Sequence, residues 1–130
     1  MNDTPPENES IYDRIGGEAG IARLVDDFYA RVREDPELGS YFLHVPMDKL
    51  LKMQREFFGA ATGGPIVYQG RPLGHAHHPL GISRHEFKRF TDHLIDSLET
   101  FDITAQDVLD IIARVNLYAD EICGDVSVDG

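Results

Sequence analysis

The chain has no tryptophan, a single cysteine, and about half as many basic as acidic residues. Each shortage removes a class of explanation. One thiol, Cys123, can form neither an internal disulfide nor a multi-thiolate metal site, which suits a reducing compartment. Twelve lysines and arginines against 23 aspartates and glutamates leave a net charge of −11. Such a surface repels phosphate backbones and anionic headgroups, so neither nucleic acid nor a membrane is an expected partner. No apolar run approaches the roughly 18 residues that spanning a bilayer requires. The opening MNDTPPENES is polar and acidic where a secretory leader is basic and then apolar, so the cytoplasm is the expected location. Alternation of the kind that builds strands is weak throughout, and no internal repeat is visible.

What remains is 130 residues with 42% hydrophobic content, enough for one domain with one core. Residues 1–10 carry two prolines and no aliphatic anchor and read as a mobile tail, with the ordered domain over 11–123 and a polar tail over 124–130. Ile21, Leu24, Val25, Phe28, Tyr29 and Val32 recur at helical spacing and stop at Asp35-Pro36. Before them, Tyr12 to Ile15 allows about one helical turn, and Gly16-Gly17 permits a reversal. A second stripe, Met47, Leu50, Leu51, Gln54, Phe57, Phe58 and Ala61, ends at Gly63-Gly64-Pro65. Residues 65–81, rich in glycine and proline, read as loop. Ser83 and Glu86 have capping-box spacing ahead of Phe87, Phe90, Leu94, Ile95 and Leu98. Thr104 can cap a fourth long helix whose face is Val108, Ile111, Ile112, Val115, Ala119 and Ile122, before Gly124. Four principal helices around one core is the expected all-α architecture.

Two irregularities carry chemistry. Gln54 sits within an otherwise apolar stripe, where an unpartnered amide costs on the order of 1–3 kcal/mol. Tyr29 raises a milder form of the same question, because its ring suits a core while its hydroxyl needs a partner. Either the two satisfy each other or nearby backbone, or both face a small polar ligand in an apolar pocket. The second irregularity is GHAHHPLGIS, which crowds His75, His77 and His78 between glycines and prolines. A neutral imidazole is the commonest metal ligand. Zinc has little support, since no HExxH pattern is present, but a helical metal protein using this histidine cluster remains an alternative. His44, His85 and His93 read as surface residues.

Several segments, taken in order, resemble the group I truncated haemoglobins: IYDRIGGE, LVDDFYARV, DPELGSYF, MDKLLKMQREFF, GGPIVYQGRPL, AHHPLGIS and the HEF after it. The likeness covers Ile11 to about Ile122, and the pairing of Gly16-Gly17 with Gly63-Gly64 is what points to group I. It implies a truncated globin-like fold, a two-over-two helical sandwich around haem b, with His77 as the protein ligand to the iron. It further implies that Tyr29 and Gln54 form the distal hydrogen-bonding pair and that Phe42 packs on the porphyrin. Leu50 then stands where many globins place a distal histidine, and Phe57 and Phe58 resemble residues that line gas tunnels. His75 and His78 would face solvent or a haem propionate, for which Lys49, Lys52 and Arg71 are nearby basic candidates. Met53, beside Gln54, has a helical phase that disfavours a sixth ligand.

The resemblance implies reversible binding of dioxygen and other diatomic gases. With two distal donors each adding about 1.4 kcal/mol, gas release would slow roughly tenfold per donor. That favours nitric oxide dioxygenation, for which an external electron donor is required, over bulk transport. The alternative is a non-catalytic oxygen carrier, store or sensor. The chain is expected to be monomeric or weakly associating.

Overall fold

The computed structural model describes residues 10–65 and 82–117. Among the described residues every regular element is helical: α1 (Ile11–Ile15), α2 (Gly17–Glu34), a 3-10 turn (Gly39–Phe42), α3 (Met47–Ala61), α4 (Arg84–Leu98) and α5 (Ala105–Asn116). No described helix is long and apolar enough to cross a membrane.

Local chemistry explains the boundaries. Ser10 caps α1 by accepting from the Asp13 backbone N–H at 3.2 Å, and Asp13 reaches back to the Ser10 N–H. Ser83 and Glu86 make the same reciprocal box at α4. Thr104 accepts from the Asp107 N–H at 3.0 Å to start α5. Each cap satisfies a donor that a helix end would otherwise leave orphaned, worth about 1 kcal/mol. α2 stops where Asp35 turns to extended backbone ahead of Pro36, as a residue preceding proline tends to do.

α2 is the hub. It packs against α1, α3, α4 and the 3-10 turn, while α5 rests on α4. Its inner face, Ile21, Leu24, Val25, Phe28, Tyr29 and Val32, is buried as the periodicity requires, and Leu38, Phe58, Leu94, Leu98 and Ile111 join it in the main core. A second, smaller cluster is built on Ile82 and Phe87. Tyr41, Phe57, Phe90 and Val115, all partly buried, pack against both.

Both glycine pairs serve α1. Gly16 ends it in the left-handed region at φ 112°, a conformation that side chains resist. Gly64 lies under the Tyr12 ring, where an added Cβ would come within 2.5 Å of it. The Tyr12 N–H donates to the Thr62 carbonyl at 2.9 Å, so α1 is docked end-on against the close of α3. The same end of α3 is held from the other side, because Arg114 on α5 donates to the Ala61 carbonyl. Arg14 completes the clamp with two bonds of 2.9 and 2.8 Å to Asp107, whose carboxyl titrates low because Arg14 donates to it.

Candidate functional site

Six of the seven residues singled out from the sequence fall within the described part. Tyr29 lies on α2, Phe42 ends the 3-10 turn, and Leu50, Gln54, Phe57 and Phe58 lie on α3. His77, with His75 and His78, lies outside the described residues, as does Cys123.

Aromatic contacts tie these elements together. Phe57 meets Phe58 at 5.2 Å between ring centroids, Phe58 meets Phe28 at 6.2 Å, Phe28 meets Tyr29 at 4.8 Å and Tyr29 meets Phe42 at 5.8 Å. Phe42 then meets Phe90 of α4 at 6.2 Å. Every pair is edge-to-face, the arrangement favoured by the ring quadrupole. One continuous line of rings therefore runs from α3 through α2 and the 3-10 turn to α4.

Gln54 sits one helical turn ahead of Phe58 on the same face of α3. It is 7% exposed, whereas its apolar neighbours Leu50, Leu51 and Phe57 are only half-buried. Ranking by hydrophobicity would put the amide outside and the leucines inside. No hydrogen bond from the Gln54 side chain is found among the described residues, although its amide is not one of the fully enclosed polar atoms that lack a partner. The direct pairing of Gln54 with Tyr29 considered from the sequence is thus absent. Tyr29 is equally buried at 7%.

A different polar cluster went unnoticed in the sequence. Asp35, its side chain 1% exposed, accepts from Arg89 at 2.6 Å and from His93 at 2.7 Å, both on α4. Its other oxygen accepts from the Glu37 backbone N–H at 2.7 Å. Burial pushes this carboxyl up, but the bonds from His93, Glu37 and Arg89 outweigh it and hold Asp35 well below the usual carboxylate range. His93, expected at the surface, is only partly there: its side chain is 24% exposed and bound to a buried acid. His85, bonded to Glu37 at 3.2 Å, and His44 are exposed as expected. The available signal was the four-residue spacing of Arg89 and His93, which places two donors on one helical face and calls for a shared acceptor.

Tyr41 was also passed over. Its hydroxyl donates at 2.6 Å to Glu86, on the carboxylate oxygen that accepts the Ser83 backbone N–H at 3.0 Å. Burial and the neighbouring carboxylate raise the Tyr41 hydroxyl to about 12. The Ser83 and Tyr41 donors lower Glu86.

The site combines apolar side chains with polar ones on the facing sides of α2 and α3. Half-buried rings and leucines supply the apolar contact, and a buried amide without a described partner supplies a donor for something held against it. No group of three or more His, Cys, Asp or Glu among the described residues is placed to hold a metal ion by itself.

Comparison with known proteins accounts for this combination. The family model for bacterial-like globins matches residues 10–123. The chain is 39% identical over 116 residues, 89% of its own length and 85% of the relative's, to a group 1 truncated hemoglobin of Mycolicibacterium paratuberculosis. The fold superposes on the THB1 structure of Chlamydomonas reinhardtii with a TM-score of 0.77 at 31% identity, covering 90% of this chain and 98% of that one. It also superposes, at 0.83 and 23% identity, on the 2/2 hemoglobin of Synechococcus sp. PCC 7002, which carries covalently attached heme; 89% of this chain and 99% of that one are covered. The buried faces of α2 and α3 are therefore the inner faces of a two-over-two helical sandwich, and the chain belongs to the bacterial-like globin family as a group I truncated haemoglobin, a family of haem-based gas binders.

Proposed function

We propose that the chain binds haem b through His77 and holds dioxygen or another diatomic gas between the haem and the distal pair Tyr29 and Gln54. The observation that carries this reading is Gln54, the most buried position of its stripe's first two turns and a polar one. When bound, haem held by His77 would supply an iron able to take up a diatomic gas.

The protein's share follows from its own groups. The Tyr29 phenol and the Gln54 amide are donors in an apolar setting, where a hydrogen bond to a polarised ligand is stronger than in water. Phe42, Leu50, Phe57 and Phe58 exclude water and give the macrocycle apolar surface. The haem domain is taken to run over residues 11–123, with short polar segments on either side.

Two donors favour slow release, which suits a protein that keeps dioxygen until nitric oxide arrives. Nitric oxide and dioxygen together take up one electron to give nitrate. That electron comes from a separate reductase, and the chain works in the cytoplasm as a monomer or weak oligomer.

An absorption titration with haem tests the cofactor and its ligand together: wild type should develop a sharp Soret band, and His77→Ala should lose the ferrous five-coordinate imidazole spectrum. Normal ligation in His77→Ala would overturn the assignment. Stopped-flow mixing of the oxygenated protein with nitric oxide tests the reaction. Consumption no faster than with free haem removes the dioxygenase reading.

A further inference from the structure

We infer that the Tyr41–Glu86 hydrogen bond is a positioning device for the distal pocket, setting the aromatic edge that packs on Tyr29. The inference rests on the haem-binding reading above and deepens it.

The 3-10 turn Gly39–Phe42 contains no fully buried residue, so packing alone holds it weakly. Its fixed points are polar and lie at its two ends. At the start, the Leu38 and Gly39 backbone N–H groups both donate to the Asp35 carbonyl, at 3.2 and 2.8 Å. At the end, the Tyr41 hydroxyl donates to Glu86 at 2.6 Å. Glu86 is a rigid acceptor, because the capping box at the head of α4 already fixes its carboxylate against Ser83. A phenol donating to a carboxylate makes a short, charge-assisted bond, stronger than a neutral one.

The next residue is Phe42. Its ring lies edge-on to Tyr29 at 5.8 Å and to Phe90 at 6.2 Å, so the backbone that Tyr41 anchors carries the ring that Tyr29 leans against. α4 thereby bears on the distal donor through one hydrogen bond and one ring contact. Tyr41 touches no proposed ligand; it acts through Phe42.

Tyr41→Phe removes one hydroxyl and leaves the ring, so packing in the two apolar clusters is retained. In the haem-free chain, nuclear Overhauser contacts between the Phe42 and Tyr29 rings should weaken. In the carbon monoxide complex, the C–O stretching band should split or broaden, and dioxygen release should change roughly threefold, less than for loss of a distal donor because Tyr41 acts only through Phe42. The iron–imidazole stretch should stay put. Glu86→Gln keeps an oxygen that can accept from both Tyr41 and Ser83, so it should preserve the wild-type band. Tyr41→Phe with ring contacts and C–O band like wild type, whatever its melting temperature, overturns the proposal. If the wild type takes up no haem, the haem-binding reading fails instead, and the ring contacts of the haem-free variant still decide whether Tyr41 positions Phe42.

Discussion

Two of the buried polar side chains among the described residues, Asp35 and Gln54, are treated differently. At the corner where α2 ends, Asp35 is saturated: Arg89, His93 and the Glu37 N–H converge on its two oxygens. On the inner face of α3, Gln54 is buried to a comparable degree, yet among the described residues nothing answers its amide. A saturated polar cluster joins elements of the fold, here α2 to α4. An amide that no described residue bonds joins no such elements, and under the proposed function it serves a ligand instead. Burial alone does not separate the two cases; partner count does.

Breaking the saturated site should have the larger effect on stability. Asp35→Asn keeps the volume but removes the charge that gathers Arg89 and His93, and it should cost about 2–3 kcal/mol in denaturant unfolding, toward the lower end for a buried ion pair because both partners reach solvent. The pH dependence has a definite sign. Asp35 titrates lower in the folded state than the about 3.9 of an unfolded aspartate, so the unfolded chain binds its proton first. Its contribution is fully present above pH ~4 and is lost as pH falls further. Asp35→Asn should therefore flatten the acid limb of the stability curve below pH ~4 while lowering the plateau above it. An acid limb as steep as that of wild type would mean that Asp35 does not carry it.

The proposed distal pair should respond in ligand kinetics. Tyr29→Phe and Gln54→Leu should each speed dioxygen release roughly tenfold, the effect of about 1.4 kcal/mol. Laser photolysis and stopped-flow mixing of the haem-loaded variants measure this directly. If both variants release gas at the wild-type rate, the distal assignment fails, and the contrast between the two buried sites would lose its functional half.

Much of this was legible in the sequence, and the reasons differ by residue. The second long helix falls at Met47–Ala61, and the first runs from Gly17, one residue before the Glu18 at which its apolar spacing begins, to Glu34, just short of Asp35-Pro36, because apolar spacing, a preceding proline and glycine stops act within a few residues of where they are written. The Ser83–Glu86 box and the Thr104 cap are local in the same way. Gln54 stood out because it broke a pattern. The Asp35 corner did not, since its members are 54 and 58 residues apart and each alone looks like an ordinary surface charge. Tyr41 and Glu86, 45 residues apart, were hidden for the same reason: Glu86 already had a role as a capping residue, and its second bond depends on which turn the fold lays beside it. The proposed haem ligand is of another kind. His77 was selected by resemblance from three neighbouring histidines, a choice that composition and spacing could not make.

The smallest predicted effect is the one that separates the two buried sites most cleanly, because its sign is opposite. Gln54→Leu replaces an unanswered amide with an apolar side chain of similar bulk on a face flanked by Leu50, Leu51, Phe57 and Phe58. An amide that no described residue bonds has no such bond to lose in the haem-free chain, and leucine adds apolar contact on that face. The haem-free variant should therefore be as stable as wild type or more stable, by up to about 1 kcal/mol in urea unfolding, in contrast to the loss expected for Asp35→Asn. A haem-free Gln54→Leu chain that is destabilised by a similar amount to Asp35→Asn would show that the amide has a structural partner after all, and Gln54 would then belong with the saturated cluster rather than with the pocket.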